Sequence, residues 1–301
     1  MIEKLYNFFL DSSGVSTDTR RLNKDSIYFA LKGENCDGDS YALDAIKNGA
    51  KLSVVDDMSL EGKHKSLVYV EDVLDTLQKL AIFHRDKLNI PVIGLTGSNG
   101  KTTTKNLIEK VLSLSFKVLA TEGNLNNHIG VPLTILKIKD HHQIAIIEMG
   151  ASAVGEIELL SNISKPTIGM ITNISNAHVE GFENIDGVIR GKSELFNFLL
   201  KNNGQVIINN KDEIIKNFSK RFLDSIQLVG EGSIIQVQLI ESIPNLKFKI
   251  QKETFESSLF GDYNFQNILF ALTVGKFFDI DEKDAAREIS KYKTEDNRSE
   301  K

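Results

Sequence analysis

The chain has one cysteine, no tryptophan and four prolines among its 301 residues. With Cys36 alone no intrachain disulfide can form, so stability has to come from a packed core, and a reducing cytoplasm is the natural setting. No apolar run approaches the ~20 residues of a membrane helix, so no membrane insertion is expected. The stretch Leu5-Tyr6-Asn7-Phe8-Phe9-Leu10 is too short and too interrupted for a signal peptide. A large charge excess is missing as well, since 36 Lys and Arg against 41 Asp and Glu leave a net charge of -5. That balance gives no general attraction to nucleic acid or to anionic membranes, and any anionic ligand must be held by local groups. Internal repeats and low-complexity segments are also absent. What remains is ordinary globular composition, 41% hydrophobic and 26% charged. At ~150 residues per domain, the length suggests about two domains.

The most informative stretch is Gly94-Leu95-Thr96-Gly97-Ser98-Asn99-Gly100-Lys101-Thr102-Thr103-Thr104. Pro91 to Leu95 before it is a short apolar run of the buried-strand kind, and Asn106 to Leu114 after it carries apolar residues at helical spacing. Strand, glycine loop and helix in that order make a phosphate-binding loop. Gly97 and Gly100 let the backbone turn its N–H groups toward one point, and the helix start adds its positive dipole end. Lys101 supplies a mobile charge for the outer phosphates. Thr102 puts a hydroxyl where such loops ligate Mg²⁺. The motif is a variant, because its usual first glycine is here Leu95.

Residues 1 to 88 read as a small mixed domain. Ile27–Leu31, Leu52–Val55 and Leu67–Val70 are strand-like, and Tyr41–Asn48 and Val73–Arg85 have helical spacing. Between them Lys32 to Asp39 is a loop rich in glycine and acid, either a solvated connector or a carrier of binding groups. Ser16-Thr17-Asp18-Thr19-Arg20-Arg21 is either a helix cap followed by surface charge or a set that grips a diphosphate. From residue 89 onward, continuous apolar runs at 117–120, 144–147, 168–171 and 206–208 alternate with helical segments. This predicts a parallel sheet covered on both faces. After Gln227 a short antiparallel appendage is expected, followed by helices over Asn264–Phe277 and Glu282–Tyr292.

Ligands of an open parallel sheet bind at the carboxyl ends of its strands, so the residues just past each apolar run are the candidates for chemistry. Glu148 comes directly after one strand, where a phosphate-loop enzyme keeps its metal carboxylate. His178 lies a few residues beyond another, either a packing residue or a ligand of the same ion. Lys192 falls on an amphipathic helix and reads most simply as a solvated charge. Asn124-Leu125-Asn126-Asn127-His128 should be a loop, and its amides suit a polar ligand.

Several of these stretches together resemble the Mur ligases, which build the peptide stem of bacterial cell-wall precursors. They are residues 96–103, 123–132, 148–151, 173–182, 192–196 and 264–267, in that order. The asparagine-rich segment favours the member that joins D-alanyl-D-alanine to UDP-N-acetylmuramoyl-tripeptide. The resemblance implies an α/β fold, with a UDP-muramoyl-peptide domain over 1–88 and a phosphate-loop ATPase domain over 89–301. It implies ATP and Mg²⁺, the metal held by Thr102, Glu148 and His178. Lys192 matches a lysine that family members carry as a carbamate and would join the metal ligands. Gly97, Ser98, Asn99, Gly100, Lys101, Thr102 and Thr103 would hold the phosphates. Asn264 and Asn267 match the segment that meets adenine, and Arg298 matches an arginine near the terminal phosphates, although Asn297 stands where glycine is more usual. Ser16, Asp18, Arg20, Lys32, Gly33, Asp37 and Gly38 resemble the uridine nucleotide site, with Asn126, Asn127 and His128 toward the acceptor side. Lys101, Lys192, His178 and Arg298 are the implied catalytic set.

The implied reaction phosphorylates the tripeptide carboxylate and then lets the dipeptide amine displace phosphate. Family members carry a third, carboxy-terminal domain, whereas this sequence stops at Lys301, so the isolated chain is expected to bind nucleotide with little ligation. A cytoplasmic monomer is expected. The competing readings are another amide ligase of the superfamily, of the third-residue-adding or folylpolyglutamate type, a noncatalytic binding module, and an unrelated phosphate-loop ATPase.

Overall fold

The structure is a computed structural model that describes residues 1–33, 36–175 and 179–293. It divides into two compact units, Met1–Asn89 with His128–Ile138, and Ile90–Asn127 with the chain from Lys139 onward.

In the first unit the apolar runs form the expected strands. Among the described residues they make a parallel sheet in the order Val15–Ser16, Ile27–Phe29, Leu52–Val55, Leu67–Tyr69. Helix Val73–Lys87 starts at Asp72, whose carboxylate accepts the Asp75 amide at 2.8 Å, an N-cap that satisfies one orphan donor. Its Leu77, Leu80 and Ala81 are buried. The segment His128–Ile138, most of it the helix Gly130–Leu136, belongs to this unit. Gln78 Nε2 donates to the His128 carbonyl at 3.0 Å, and His84 Nε2 meets the Ile138 carbonyl at 2.9 Å. The single boundary near residue 88 read from the sequence therefore misses eleven residues that return to the first unit. Their apolar pattern does not say which core they join.

The second unit is built on a parallel sheet of order Ser225–Gln227, Gln205–Ile208, Ile168–Ile171, Val92–Thr96, Ile144–Glu148, Val118–Ala120. Every residue of Val92–Thr96, Ile144–Glu148 and Ile168–Ile171 is buried, which is why these runs are apolar without alternation. The strand Ser225–Gln227 has no clear sequence signal, being three residues long with a polar residue at each end. Val237–Glu241, Leu246–Ile250 and Glu253–Ser257 form the antiparallel appendage. Helix Asp262–Phe277 is apolar nearly all round because it is buried between neighbours. A Cβ at Gly275 would lie 2.6 Å from Val111 Cγ1, so this glycine lets it approach the helix Lys101–Leu112 closely.

Gly94 and Gly169 are direct register partners on adjacent central strands. A Cβ at Gly94 would meet Met149 Cε at 2.9 Å and Pro166 Cβ at 3.0 Å, and one at Gly169 would meet Leu199 Cδ1 at 2.4 Å. The pair makes a shallow trough into which helix Ile185–Lys201 sets Leu195 and Leu199. Overfilling such a contact costs about 1–3 kcal/mol. Gly169→Ala should lower the stability of the second unit in urea by that amount, and combining it with Leu199→Ala should cost less than the sum of the two single changes. Strict additivity in the double-mutant cycle would refute the contact.

Candidate functional site

The loop after Val92–Thr96 is held by the segment just beyond Ile168–Ile171. Ser98 N donates to the Asn173 carbonyl at 3.0 Å and Asn99 N to Asn173 Oδ1 at 3.1 Å. Thr172 Oγ1 donates to the Asn99 carbonyl at 2.6 Å, and Ser175 N to Ser98 Oγ at 3.0 Å. Gly97 has φ +149° and lies where a Cβ would be 2.0 Å from Thr172 Oγ1. Gly100 has φ +77° and a Cβ there would meet Asn267 Oδ1 at 2.6 Å. Both glycines are thus required by backbone conformation and by close approach. Gly100 caps helix Lys101–Leu112, whose first amides point out of the loop.

Lys101 Nζ folds back to donate to the Gly97 and Ser98 carbonyls at 2.7 and 3.2 Å. Burial lowers its pKa from the ordinary lysine value, against the pull of Glu148. Glu148 ends its strand 1% exposed, with Oε1 accepting from Asn126 Nδ2 at 2.8 Å and Thr102 Oγ1 at 3.4 Å. Its other oxygen, Oε2, is buried without a hydrogen-bond partner among the described residues. A buried carboxylate oxygen left open beside a hydroxyl and a phosphate loop fits a Mg²⁺ ion, which needs only one or two protein oxygens beside phosphates and water. Among the described residues no cluster of three His, Cys, Asp or Glu forms a metal cage, and Mg²⁺ does not require one.

Lys192 is not the solvated charge its helix position suggested, being only 3% exposed in the middle of Ile185–Lys201. Its Nζ donates to the Ala151 carbonyl at 3.4 Å and lies 5.3 Å from the centre of the Phe182 ring. Burial, and after it the positive charge of Lys101, brings its pKa down to about 8. On the same helix Glu194 accepts the Gly155 and Glu158 amides at 2.6 and 2.9 Å, which caps helix Glu156–Ser164 and fixes the turn beside Lys192.

In front of the loop lies a cavity of about 720 Å³. Ser98, Asn99, Gly100, Lys101, Thr102 and Thr103 form one wall, and Tyr263, Asn264, Gln266 and Asn267 another. Asn173 and Ser175 complete it. The amides of Asn264 and Asn267 are engaged inside the protein. Asn267 Nδ2 donates to Asn264 Oδ1 at 2.9 Å, Asn264 Nδ2 to the Phe260 carbonyl at 2.9 Å, and Thr104 Oγ1 to Asn267 Oδ1 at 3.0 Å. Sequence reasoning pointed to the run from Thr172 to His178 but gave a role there only to His178, and it gave none to Thr172, Asn173, Ser175, Tyr263 or Gln266. The first three come immediately after a buried central strand, where ligands of such a sheet bind.

The first unit holds the residues matched to a uridine site in a separate arrangement. Asp18 caps a short 3₁₀ turn and takes Arg20 bidentately, Nε and Nη2 both at 2.9 Å. This pairing holds the Asp18 carboxyl down at about 2 and leaves the guanidinium exposed. Ser16 Oγ donates to the Asp18 carbonyl at 2.9 Å. Lys32 and Gly33 pair with Cys36 and Asp37 in a small antiparallel ladder. The Lys32 ammonium lies against Asp56, and 3.2 Å from Asp39 Oδ2 though poorly aligned for a hydrogen bond. Asp37 caps the next turn through the Asp39 amide at 3.1 Å. Gly38 has a steric reason of its own, since a Cβ there would fall 2.5 Å from backbone atoms of Ala30 and Leu31. Asn126 and Asn127 belong to the second unit and His128 to the first, so the amide run straddles a unit boundary. His178 and Arg298 lie outside the described residues.

Two sequence profiles match the chain. The one described as Mur ligase middle domain covers residues 95–275, and that of the Mur ligase family catalytic domain covers residues 11–85. The chain is 37% identical over 287 residues to the UDP-N-acetylmuramoyl-tripeptide--D-alanyl-D-alanine ligase of Bacillus subtilis, covering 93% of this chain and 62% of that protein. It therefore spans about three fifths of that curated relative's length. A crystal structure of MurF from Acinetobacter baumannii superposes with a TM-score of 0.82 at 28% identity, over 94% of this chain and 64% of that one. MurF ligase from Thermotoga maritima in complex with ADP gives a TM-score of 0.78 at 25% identity, over 96% of this chain and 68% of that one. The middle-domain profile takes in Lys101, Glu148, Lys192 and the asparagines of the cavity, the second profile takes in most of the first unit, and the chain belongs to the Mur ligase family.

Proposed function

We propose that this chain carries the ATP-binding and UDP-muramoyl-peptide-binding parts of a cytoplasmic ligase that joins D-alanyl-D-alanine to UDP-N-acetylmuramoyl-tripeptide. The observation that carries the reading is Glu148. A buried carboxylate with one open oxygen ends the strand beside a phosphate loop, with Lys192 close to the next turn of the chain. The relative from Bacillus subtilis supports the choice of substrates by its name and its 37% identity.

In the first step a carboxylate oxygen of the tripeptide attacks the γ-phosphorus of ATP, the bond to the bridging oxygen breaks, and ADP leaves. In the second the dipeptide amine attacks the acyl carbon, gives up a proton, and phosphate departs with the pair of electrons of its bond. Such chemistry asks chiefly for positioning and for neutralised charge. With the Ser98 and Asn99 amides held by Asn173, the first-turn amides of helix Lys101–Leu112 receive the outer phosphates, and Lys101 exchanges its carbonyl contacts for phosphate oxygens. Thr102 and Glu148 would hold Mg²⁺, which when bound screens the charge on the transferring phosphoryl group. Asn126 keeps the Glu148 carboxylate oriented through its 2.8 Å hydrogen bond. Arg20, exposed and turned by Asp18, offers its remaining donors to the nucleotide diphosphate of the muramoyl substrate. His178 and Arg298 retain the metal and phosphate roles that the family resemblance implies for them. Asn264 and Asn267 back the loop.

Lys192 is suited to carbamate formation because its pKa of about 8 leaves part of the amine uncharged near neutrality. An ordinary lysine is almost wholly ammonium there and cannot attack CO₂. The resulting anion would also reverse the repulsion that Lys192 shares with Lys101.

Isothermal titration should detect two separate sites, one for Mg-ATP and one for UDP-N-acetylmuramoyl-tripeptide. Lys101→Met should weaken the first about tenfold or more and leave the second unchanged. Binding of Mg-ATP with no binding of the muramoyl peptide would remove the cell-wall assignment from the first unit. With ¹³C-labelled bicarbonate, a carbamate carbon resonance should appear in the wild-type protein and be missing in Lys192→Arg. The sign of its pH dependence is set by the lowered pKa. At fixed dissolved CO₂, occupancy rises as pH climbs through about 8 and the amine loses its proton. A resonance that persists in Lys192→Arg would place the carbamate elsewhere.

A further inference from the structure

We propose that Lys105 is a positioning residue for Glu148, acting through Thr121. This rests on the Mg-ATP reading above and assigns what sets the carboxylate from behind.

Lys105 lies on helix Lys101–Leu112, which starts in the phosphate loop, and is only 5% exposed. Burying an ammonium group is costly unless acceptors meet it. An apolar residue would fill the same place without that cost, so the lysine is there for its donors. Its Nζ donates to the Thr121 carbonyl at 2.6 Å, a charge-assisted hydrogen bond.

Thr121 follows directly on the edge strand Val118–Ala120 and is buried. Its N–H donates to the Ile146 carbonyl at 2.9 Å, which continues the parallel pairing of Ala120 with Ile146. The next bond of a regular parallel ladder would run from the Glu148 amide to the Thr121 carbonyl. Here that carbonyl is held by Lys105, and the Glu148 N–H donates instead to Thr121 Oγ1 at 3.0 Å. The hydroxyl itself reaches the Ile146 carbonyl at 3.4 Å. Lys105 therefore ends the ladder at the residue whose carboxylate is proposed for the metal, and a side chain replaces the backbone in holding its amide.

These contacts close into a ring. Thr102 and Lys105 are three residues apart and so share a face of their helix. Thr102 Oγ1 donates to Glu148 Oε1 at 3.4 Å, while Lys105 reaches the Glu148 backbone through Thr121. One helix thus holds Glu148 at both its carboxylate and its amide. Oε2 is left without a hydrogen-bond partner among the described residues. Loss of the Lys105 bond frees the edge-strand end to move against the helix, and with it the spacing of Thr102 and Glu148, the two groups proposed for Mg²⁺.

Titration with ATP in Mg²⁺ and in EDTA separates metal binding from phosphate binding. Wild-type protein should bind ATP more tightly with Mg²⁺. Lys105→Met keeps an unbranched stem and loses the donor. It should lower Mg-ATP affinity about tenfold, the usual effect of removing a partner behind a metal ligand, and leave ATP affinity in EDTA unchanged. Thr121→Val should do the same and Thr121→Ser should behave as the wild type. The double variant of Lys105→Met with Thr121→Val should be no weaker than the weaker single one, as members of one chain are not additive. Equal losses with and without Mg²⁺ in Lys105→Met, or no loss in either, would overturn the assignment and leave Glu148 and the loop in place. If Lys105→Met does not fold, the Thr121 variants read the same chain one step along, and equal behaviour of Thr121→Val and Thr121→Ser overturns it. Wild-type protein that gains nothing from Mg²⁺ would overturn the metal reading of Glu148, and one that binds no ATP the ATP reading, each taking this inference with it.

Discussion

The site depends on one close crossing of two chain segments. Thr172, the first residue after a buried central strand, passes so near Gly97 that its hydroxyl occupies the place of a Cβ, and that hydroxyl then holds the Asn99 carbonyl at 2.6 Å. A phosphate loop needs its amides pointing outward together, a conformation with few internal hydrogen bonds to maintain it. Here its stability is borrowed from the neighbouring strand end, where Asn173 and Ser175 hold Ser98 and Asn99. Asn209 and Asp212 in turn hold that strand end through the Thr172 carbonyl and the Ile174 amide. The loop is therefore set by the sheet, and less by its own sequence than its glycine pattern suggests.

The electrostatics are a consequence of this rigidity. Lys192 is buried and Lys101 half-buried, both have lowered pKa values, and Lys101 contributes to the shift of Lys192. Two desolvated amines near each other are unfavourable in the absence of an anion. Glu148 offsets part of this for Lys101, but one of its own oxygens is unsatisfied among the described residues. In the proposed function a polyanion with a divalent cation would supply what each group lacks, phosphate oxygens taking up the ammonium groups and the cation the carboxylate. On the proposed function, this mismatch favours a metal-bound polyphosphate. An ordinary ion pair would have left the site satisfied and indifferent.

Much of the second unit was legible because its signals are local. Buried parallel strands read as continuous apolar runs, and the glycine loop between strand and helix marks one end of the sheet. The antiparallel appendage was legible from its alternation. The segment His128–Ile138 was not, because its return to the first unit is decided by helix Val73–Lys87, far away in sequence. The state of Lys192 was hidden for a similar reason, since an amphipathic helix shows which residues share a face but not how deeply that face is sunk. Asp18 and Arg20 illustrate the converse. The cap read from their spacing is present, and the same pairing leaves the Arg20 guanidinium exposed.

The depth of Lys192 can be traced back to two residues without side chains. Gly94 and Gly169 face each other across adjacent strands, and their missing Cβ atoms let Leu195 and Leu199 settle onto the backbone of the sheet. Lys192 lies one turn earlier on that helix and is carried down with it, between the Ala151 carbonyl and the Phe182 ring. Gly191 allows this ring to come close, since a Cβ there would meet Phe182 Cε1 at 2.5 Å. Water is thereby excluded from the ammonium, and the charged form loses its hydration without gaining a carboxylate ion-pair partner among the described residues. The pKa falls toward neutrality, and the amine becomes the nucleophile that the proposed carbamate requires. A packing detail of the central strands thus lowers the charge on the lysine for which the carbamate is proposed.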